Sequence, residues 1–338
     1  MINIPGKDTV FCDKEGNYSL YSSEEILTKR LNNWKGWKCS AGVSTIHITS
    51  DGNIFSGTCK VGGLLGNVFD ADVEFPEEWQ TCTKEWCMCG SEMKILKVPS
   101  SDIDVNKLSK PLNLTEHTAT PQWVGMAFSK LTSVFPKTVT WDLGRRCNYS
   151  CSYCPPSTAN NYEAHKSFES LKTAVNSLLY KFSTIQRVKW IFTGGEPTLN
   201  PAFIDILKYL HQFRHIAHTQ TNGSRDPNYY SELIEYSSIG FSIHFEEFNE
   251  KRFMNNCEAI LKKKSIHPMA SVNWVGVRLM VAPGGFQEAL VLKEKLLNLP
   301  PLWGKLDFVN MSPLYEKEDG DKLMSYSTEE LNQINEHL

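Results

Sequence analysis

The sequence has no apolar run that approaches the roughly 20 residues needed to cross a bilayer, and its first residues show no basic region followed by an apolar core. A membrane span and a secretory signal are therefore not expected. The chain also lacks an excess of either charge, since the formal net charge of its 338 residues is −3. A near-neutral chain without a basic stripe has no general attraction to extended nucleic acid or to anionic membranes. We therefore expect a cytoplasmic protein that binds neither.

Because no secretory signal is present, disulfides are not expected, although the chain has 10 cysteines. Cytosolic thiols stay reduced, and clustered cysteines in that setting indicate metal binding. Five cysteines lie within residues 39–89 and three within 147–154, with only Cys12 and Cys257 outside these groups. The composition, 41% apolar and 22% charged, is typical of a globular protein with one large domain and one small domain.

The second group of cysteines has a CxxxCxxC spacing and follows an apolar run at residues 138–143. Cys147, Cys151 and Cys154 lie in a short segment that can aim several sulfurs at one point. A four-iron cluster takes four ligands, so three cysteines leave one iron open to a small molecule. The alternative is a structural zinc site, but zinc requires a fourth ligand and its cysteines usually come in CxxC pairs.

This segment resembles the radical S-adenosylmethionine (SAM) enzymes. The aromatic Tyr153 before the last cysteine matches that family, and so does the segment Gly194-Gly195-Glu196-Pro197 after the next predicted strand. The resemblance implies a [4Fe-4S] cluster on the three cysteines, with SAM bound through its amino and carboxylate groups to the open iron. It further implies an external one-electron donor of the flavodoxin or ferredoxin kind, and a 5′-deoxyadenosyl radical that takes a hydrogen atom from a substrate.

The first group of cysteines lies in a glycine-rich region, residues 36–98, with little core of its own. Asp51-Gly52 predicts a hairpin turn between residues 44–49 and 53–55. That hairpin can bring Cys39 and Cys59 to one end. A bound metal can replace a missing core, and the candidate ligands are Cys39, Cys59, Cys82, Cys87 and Cys89. Zinc is the alternative occupant.

The spacing of Cys39, Gly52 and Cys59 also resembles a SPASM or twitch domain, the auxiliary iron–sulfur module of many radical SAM maturases. Two features depart from that pattern. The region precedes the catalytic part instead of following it, and the gap from Gly52 to Cys59 is longer than usual. Five cysteines suit one auxiliary [4Fe-4S] cluster with one cysteine to spare, and the sequence does not say which one is spare.

From residue 138 onward, strand-like and helix-like segments alternate. The predicted strands are residues 138–143, 188–192, 216–221, 239–244, 275–281 and 306–310, and residues 171–182 and 203–213 carry helical apolar stripes. Asn200-Pro201 predicts a helix start, as does Ser327 for a final helix to Leu338. Successive βα units predict an α/β fold with a parallel sheet. The resemblance makes it a six-stranded partial (β/α)6 TIM-like barrel of the radical SAM type.

The predicted organisation is an N-terminal extension (1–35), a small Cys/Gly-rich α+β auxiliary-cluster domain (36–98), a linker (99–137) and the partial barrel (138–338). Parallel α/β sheets place active sites at the carboxyl ends of their strands, where most polar candidates fall. The resemblance assigns the contacts to SAM at these ends to Tyr153, Gly194, Gly195, Glu196, Pro197, Thr221, Asn222, Ser242 and His244. Arg278, expected to be buried, is a candidate partner of the SAM carboxylate, and Asn310 and Met311 are candidates beside the adenine.

The leading functional hypothesis is a radical SAM enzyme that oxidises or crosslinks a peptide or protein side chain, because the auxiliary module is common in peptide maturases. A second hypothesis keeps this chemistry but assigns a small molecule, nucleotide or nucleobase as the substrate. A third hypothesis is a non-enzymatic zinc-binding protein on a decayed barrel. The intact cysteine motif and the intact Gly-Gly-Glu-Pro segment argue against that third hypothesis.

Overall fold

The computed structural model describes residues 9–12, 18–21, 26–27, 29–70, 73–87, 90–93, 95, 97–98, 138–155, 161, 163–182, 187–317 and 322–337. The predicted linker at 99–137 and Cys89 lie outside the described residues. The chain divides into two compact units. Unit 1 comprises Met1–Thr140 and Asn176–Lys189, and unit 2 comprises Trp141–Val175 and Trp190–Leu338. Each unit is described by itself.

Unit 1 is built from short antiparallel strands. A two-stranded ribbon pairs β1 with β2, and a three-stranded sheet has β3 between β7 and β8. A further antiparallel ladder runs from β4 through β5 to β6. The strands are β1 Thr9–Cys12, β2 Tyr18–Tyr21, β3 Lys38–Cys39, β4 Thr45–Ile48, β5 Asn53–Phe55, β6 Leu64–Asn67, β7 Gln80–Thr81 and β8 Lys97–Val98, and one short helix, α1, covers Gly90–Met93.

The predicted hairpin in unit 1 is confirmed. β4 and β5 pair antiparallel, with His47 opposite Phe55. Gly52 occupies the turn at φ 89°, a left-handed conformation that glycine adopts without strain. A Cβ atom at Gly52 would also lie 2.8 Å from the Asn67 side chain. Glycine is therefore favoured in this turn both by the backbone conformation and by the close contact with Asn67.

Unit 2 contains the predicted α/β sheet. Its strands follow one another in chain order, and the last four are parallel and in register. The strands are β9 Thr138–Asp142, β10 Lys189–Thr193, β11 Ile216–Thr221, β12 Ser238–His244, β13 Val275–Val281 and β14 Phe308–Pro313. This is the strand order of a (β/α)6 partial barrel, so the predicted fold class is confirmed. The sixth strand lies later than the predicted 306–310 because its pairing with β13 continues to Pro313.

The helices between these strands match the predicted apolar stripes. They are α2 Phe168–Lys181, α3 Phe203–Gln212, α4 Pro227–Tyr236, α5 Glu250–Ile266, α6 Pro268–Ser271, α7 Phe286–Leu297 and α8 Thr328–Glu336. Of the predicted stripe at 203–213, Phe213 is 55% exposed, whereas the buried members are Phe203, Ile206, Leu207 and Leu210. Among the helices in the described part of the chain, none combines the length and apolarity that a bilayer crossing requires.

One predicted helix start is confirmed and one is wrong. Ser327 caps α8 by accepting a hydrogen bond from the Glu330 amide at 3.1 Å. Asn200, in contrast, is not the cap of α3, which begins at Phe203 after Ala202. Asn200 instead follows a 3-10 helix, Pro197–Leu199, which is capped by the side chain of Glu196. The proline that opens this turn is therefore the one in the Gly-Gly-Glu-Pro segment.

The strands of unit 2 alternate between a buried face and a second face with shorter or missing side chains. Val275, Val277, Leu279 and Val281 of β13 are fully buried. The opposite face, which we call the open face, carries Gly240 and Ser242 of β12 beside Gly276 and Arg278 of β13. Arg278 is exposed, so the expectation that it is buried is wrong. The residue lies in a central strand, but its side chain is on the open face of the sheet.

Aromatic side chains cover the amino-terminal part of this open face. The Phe308 ring lies over Gly276, and it is 5.5 Å from the Trp274 ring, which in turn is 4.4 Å from His218. A Cβ atom at Gly276 would lie 1.9 Å from the Phe308 ring. Glycine is therefore required there so that an aromatic ring can lie flat on the strand.

We predict that Gly276→Ala lowers the free energy of unfolding by about 1–3 kcal/mol, because the added methyl group overpacks the Phe308 ring. Urea denaturation measures this loss. The double variant Gly276→Ala/Phe308→Leu should recover part of it, since the clash is removed. Additive losses in the double variant would contradict the packing explanation.

Candidate active site

The three cysteines of the predicted cluster motif lie in one loop that follows β9. We call residues 147–154 the cysteine loop. Cys147, Cys151 and Cys154 are all partly exposed, and the Cys154 amide donates to the Cys151 carbonyl oxygen at 3.1 Å. Burial and, to a smaller extent, the neighbouring thiolates raise the pKa of Cys151 to about 11. The loop therefore carries all three thiols within eight residues.

Two N–H groups point at the Cys147 sulfur. The Tyr149 amide lies 3.4 Å from Sγ, and the Asn222 side-chain amide lies 3.7 Å from it. Burial raises the pKa of the Cys147 thiol, while these two donors oppose that rise because they favour the thiolate. Asn222 also donates to Asn148 Oδ1 at 3.1 Å. The predicted site residue Asn222 is thus in direct contact with the cysteine loop.

The glycine pair after β10 packs against the chain that leads into the cysteine loop. A Cβ atom at Gly194 would lie 2.5 Å from the Gly144 carbonyl oxygen, and one at Gly195 would lie 2.3 Å from that of Arg146. The Gly195 amide donates to the Gly144 carbonyl oxygen at 2.9 Å. These glycines therefore let two backbone segments approach each other closely.

Glu196 is a fully buried carboxylate with four hydrogen bonds. It accepts from the amide and hydroxyl of Thr198 at 3.0 and 2.6 Å, from the Thr221 hydroxyl at 2.8 Å and from the Asn222 amide at 2.7 Å. Burial raises the pKa of this carboxyl group, whereas these hydrogen bonds oppose the rise. Glu196 therefore links the end of β10 to the end of β11. Thr221, predicted to line a SAM pocket, is a partner of this buried carboxylate.

Tyr153 and His244 form a pair next to the cysteine loop. The Tyr153 hydroxyl lies 2.9 Å from His244 Nδ1, and the two rings stack at 5.7 Å. The Tyr153 side chain also opposes the rise in the pKa of Cys151. Burial lowers the pKa of His244 to about 4, so its imidazole is neutral at pH 7. Two residues that were predicted independently are therefore direct partners.

The remaining predicted residues lie further along the strands. Ser242, Arg278 and Asn310 stand side by side in one register row of the open face. Met311 is fully buried on the opposite face, so its predicted position beside the adenine is wrong. Successive side chains of a strand point to opposite faces, and only one of Asn310 and Met311 could line the same site.

The structure adds polar residues that sequence analysis missed. Asn148, Ser150 and Ser152 alternate with the cysteines of the loop, and Glu246 and Glu247 follow β12 directly. The glutamates accept hydrogen bonds from the two serines. The position of the glutamates just after a strand end was a usable signal. No local sequence pattern indicated the role of the serines, because their partners are more than 90 residues away in the sequence.

Unit 1 contains a second group of thiols. Cys39 of β3 pairs with Gln80 of β7, which precedes Cys82. Burial and then several neighbouring charges raise the pKa of Cys39 and Cys59, and thiolates of this same group are among those charges. Burial raises the pKa of Cys87 to about 12, with Cys39 and Cys59 contributing. Four of the five predicted ligands, Cys39, Cys59, Cys82 and Cys87, lie among the described residues as free thiols, and we call them the auxiliary cysteines.

Comparison with known families identifies unit 2. Residues 141–274 match the model of the Radical SAM superfamily. This segment of the chain is therefore similar to the radical SAM enzymes. Among curated proteins, none matches the chain.

Several solved structures resemble the chain at low sequence identity. SuiB of Streptococcus suis matches with a TM-score of 0.40 and 16% identity, over 62% of this chain and 48% of SuiB. SuiB bound to its precursor peptide SuiA matches with a TM-score of 0.43 and 14% identity, over 69% of this chain and 54% of SuiB. TYW1 with a lysine-pyruvate adduct matches with a TM-score of 0.33 and 13% identity, over 58% of this chain and 68% of TYW1. The chain thus spans about half the length of SuiB.

The radical SAM superfamily implies a [4Fe-4S] cluster and SAM, and the residues of the cysteine loop fit such a cluster. Three soft sulfur donors lie in one loop, and Asn222 and the Tyr149 amide offer N–H groups to one of them. Among the described residues, no group of three His, Cys, Asp or Glu side chains is arranged to hold a single metal ion. A cubane cluster binds its cysteines at separate corners, so it does not need sulfurs that converge on one ion.

We predict that Glu196→Ala lowers the free energy of unfolding by about 3 kcal/mol or more, because buried donors of Thr198 and Asn222 lose their acceptor. Glu196→Gln should also destabilise the protein, since its NH2 group would face another donor. Urea denaturation of the apoprotein measures both variants. As the control, Glu258→Gln on the exposed face of α5 should change stability by less than about 0.5 kcal/mol. Equal stability of Glu196→Ala and wild type would show that this carboxylate does not hold the loops.

Proposed function

We propose that the chain reductively cleaves SAM and uses the resulting radical to take a hydrogen atom from a substrate. The observation that carries this proposal is the cysteine loop inside the matched radical SAM domain, where the chain that leads into the loop is hydrogen-bonded to the Gly-Gly-Glu-Pro segment. Cys147, Cys151 and Cys154 would hold the cluster. When bound, a [4Fe-4S] cluster with an open iron supplies the electron that breaks the C5′–S bond of SAM.

The residues around the loop have separate roles in this proposal. Asn222 orients the Cys147 sulfur, and the Gly194-Gly195 backbone supports the entry to the loop. The Tyr153–His244 pair forms an aromatic wall next to Cys151, and its neutral imidazole adds no positive charge near the sulfonium. Ser242, Arg278 and Asn310 provide polar groups on the open face for SAM or for the substrate.

We predict that the anaerobically reconstituted protein forms 5′-deoxyadenosine and methionine from SAM with dithionite as the reductant. Cys147→Ala should abolish this product, because two cysteines cannot hold the cluster with one open iron. The assay is chromatography with mass detection of 5′-deoxyadenosine.

Cys257→Ala is the matched control, since Cys257 is buried in α5 and belongs to neither group of cysteines. It should retain the product. If the wild-type protein binds iron and sulfide but forms no 5′-deoxyadenosine, the proposed reaction is wrong. If it binds zinc alone, the non-enzymatic alternative would replace it.

We further propose that unit 1 holds an auxiliary [4Fe-4S] cluster on Cys39, Cys59, Cys82 and Cys87 or on a set that includes Cys89. A buried lysine supports this. Lys97 is 2% exposed, its ammonium donates to the Glu92 and Ile95 carbonyl oxygens, and it stacks on Trp34. A buried cation needs compensating negative charge. Its charge opposes the pKa rise of Cys39 and Cys87, as expected if both are thiolates in the loaded protein.

We predict that Cys39→Ala lowers the iron content from about eight to about four atoms per chain, because each cubane holds four irons. It should still form 5′-deoxyadenosine. Lys97→Met should lower retention of the same four irons, while Lys35→Met, at an exposed lysine paired with Glu85, should not. Iron, sulfide and zinc are counted after reconstitution. Unchanged iron in Cys39→Ala would contradict an auxiliary cluster at this site.

The substrate class that we propose is a peptide or protein side chain, which is oxidised or crosslinked, with the electron supplied by a flavodoxin- or ferredoxin-like donor. The resemblance of unit 1 to auxiliary modules of peptide maturases supports it. Deuterium transfer into 5′-deoxyadenosine distinguishes the candidates when separate perdeuterated pools of peptides, small metabolites and nucleosides are supplied. Transfer only from the metabolite or nucleoside pool would favour the small-molecule alternative instead.

A further inference from the structure

Two serines of the cysteine loop are bound by two consecutive glutamates. The Ser150 amide and hydroxyl donate to Glu247 Oε1 at 3.2 and 2.6 Å. The Ser152 amide and hydroxyl donate to the carboxylate oxygens of Glu246 at 2.6 and 2.5 Å. We call these four bonds the clasp. The serines flank Cys151, so the clasp holds the loop on both sides of its middle cysteine.

The clasp determines where two backbone N–H groups of the loop donate. Amides near an iron–sulfur cluster can donate to its sulfurs, and such hydrogen bonds raise the reduction potential because they stabilise the more negative, reduced state. The amides of Ser150 and Ser152 donate to the carboxylates instead. In the same loop, the Tyr149 amide does point at a cysteine sulfur. The clasp therefore directs two of the amides away from the sulfurs.

The clasp also fixes two negative charges beside the loop. Like charges nearby disfavour the addition of an electron, so the carboxylates should lower the reduction potential as well. Both glutamates are exposed, and salt therefore screens this effect. The withheld N–H groups act through short contacts and should not respond to salt. The two contributions can thus be separated by experiment.

We propose that Glu246 and Glu247 are positioning residues that hold the cysteine loop through Ser150 and Ser152 and keep the reduction potential of its cluster low. A low potential favours transfer of an electron to the sulfonium of SAM. This inference rests on the proposed function for the cluster, but the clasp itself can be tested in the apoprotein.

The experiment compares Glu246→Gln/Glu247→Gln with Glu246→Ala/Glu247→Ala. Glutamine keeps an acceptor oxygen but removes the charge, whereas alanine removes both. Potentiometric titration follows the EPR signal that SAM perturbs, so that signals from any other cluster are set aside. The reduction potential should be lowest in wild type, higher in the glutamine variant and highest in the alanine variant. The difference between wild type and the glutamine variant should shrink as the salt concentration rises.

Two controls keep the result interpretable. Glu258→Gln removes one exposed carboxylate of α5 and should leave the potential unchanged. Hydrogen exchange of the apoprotein should show faster exchange across the cysteine loop in the alanine variant only, which tests the clasp without any cluster. If the alanine variant does not retain iron, the glutamine variant and Ser150→Ala/Ser152→Ala, which keeps the charges, still report the potential.

The outcomes separate this inference from the proposed function. Equal potentials in wild type, glutamine and alanine variants, with normal SAM cleavage, would overturn the redox role alone. Unchanged hydrogen exchange in the alanine variant would overturn the clasp. Failure of the wild-type protein to cleave SAM, with the expected exchange difference present, would overturn the proposed function and leave the clasp intact.

Discussion

A single buried carboxylate connects the parts on which the candidate site depends. Glu196 accepts four hydrogen bonds with no solvent available to replace them, so its donors must stay in place. Through the Asn222 amide it fixes the start of the loop after β11, and the Asn222 side chain then reaches Cys147. The glycine pair before Glu196 brings its strand end against residues 144–146. A hydrogen-bond network that begins in the protein core therefore holds the cysteine loop. This network fixes the position of the cluster motif.

The other supports of the loop come from β12 and the segment after it. His244 contacts Tyr153, and Glu246 and Glu247 bind the serines beside Cys151. A loop with little regular structure thus receives contacts from two different strand ends. This arrangement is expected for a site that must hold several sulfurs in fixed directions, because second-layer hydrogen bonds orient metal ligands. In unit 1 the charge of the buried Lys97 opposes the rise in the pKa of Cys39 and Cys87.

Much of the fold could be predicted from local pattern. The boundaries of β11 and β13 agree with those of the predicted strands, and the hairpin at Gly52 followed from its turn residues. Errors arose where two local signals competed. Asn200-Pro201 has the composition of a helix start, but Glu196-Pro197 four residues earlier caps a 3-10 turn instead. Arg278 was expected to be buried because it lies in a central strand, yet the direction of its side chain depends on which face the helices cover.

By itself, the sequence determined the chemistry available to this protein: three closely spaced thiols after a strand, a second group of cysteines and a glycine pair before a glutamate. Those features depend on residue type and short spacing, which are local properties. Only the tertiary structure decided that the Glu196 carboxylate accepts hydrogen bonds at the end of β11 and that Tyr153 pairs with His244. It also decided that Glu246 binds Ser152 and that Glu247 binds Ser150. These partners lie far apart along the chain. Their contacts arise because parallel strands bring their carboxyl ends to one edge of the sheet, and no local pattern encodes which ends will meet.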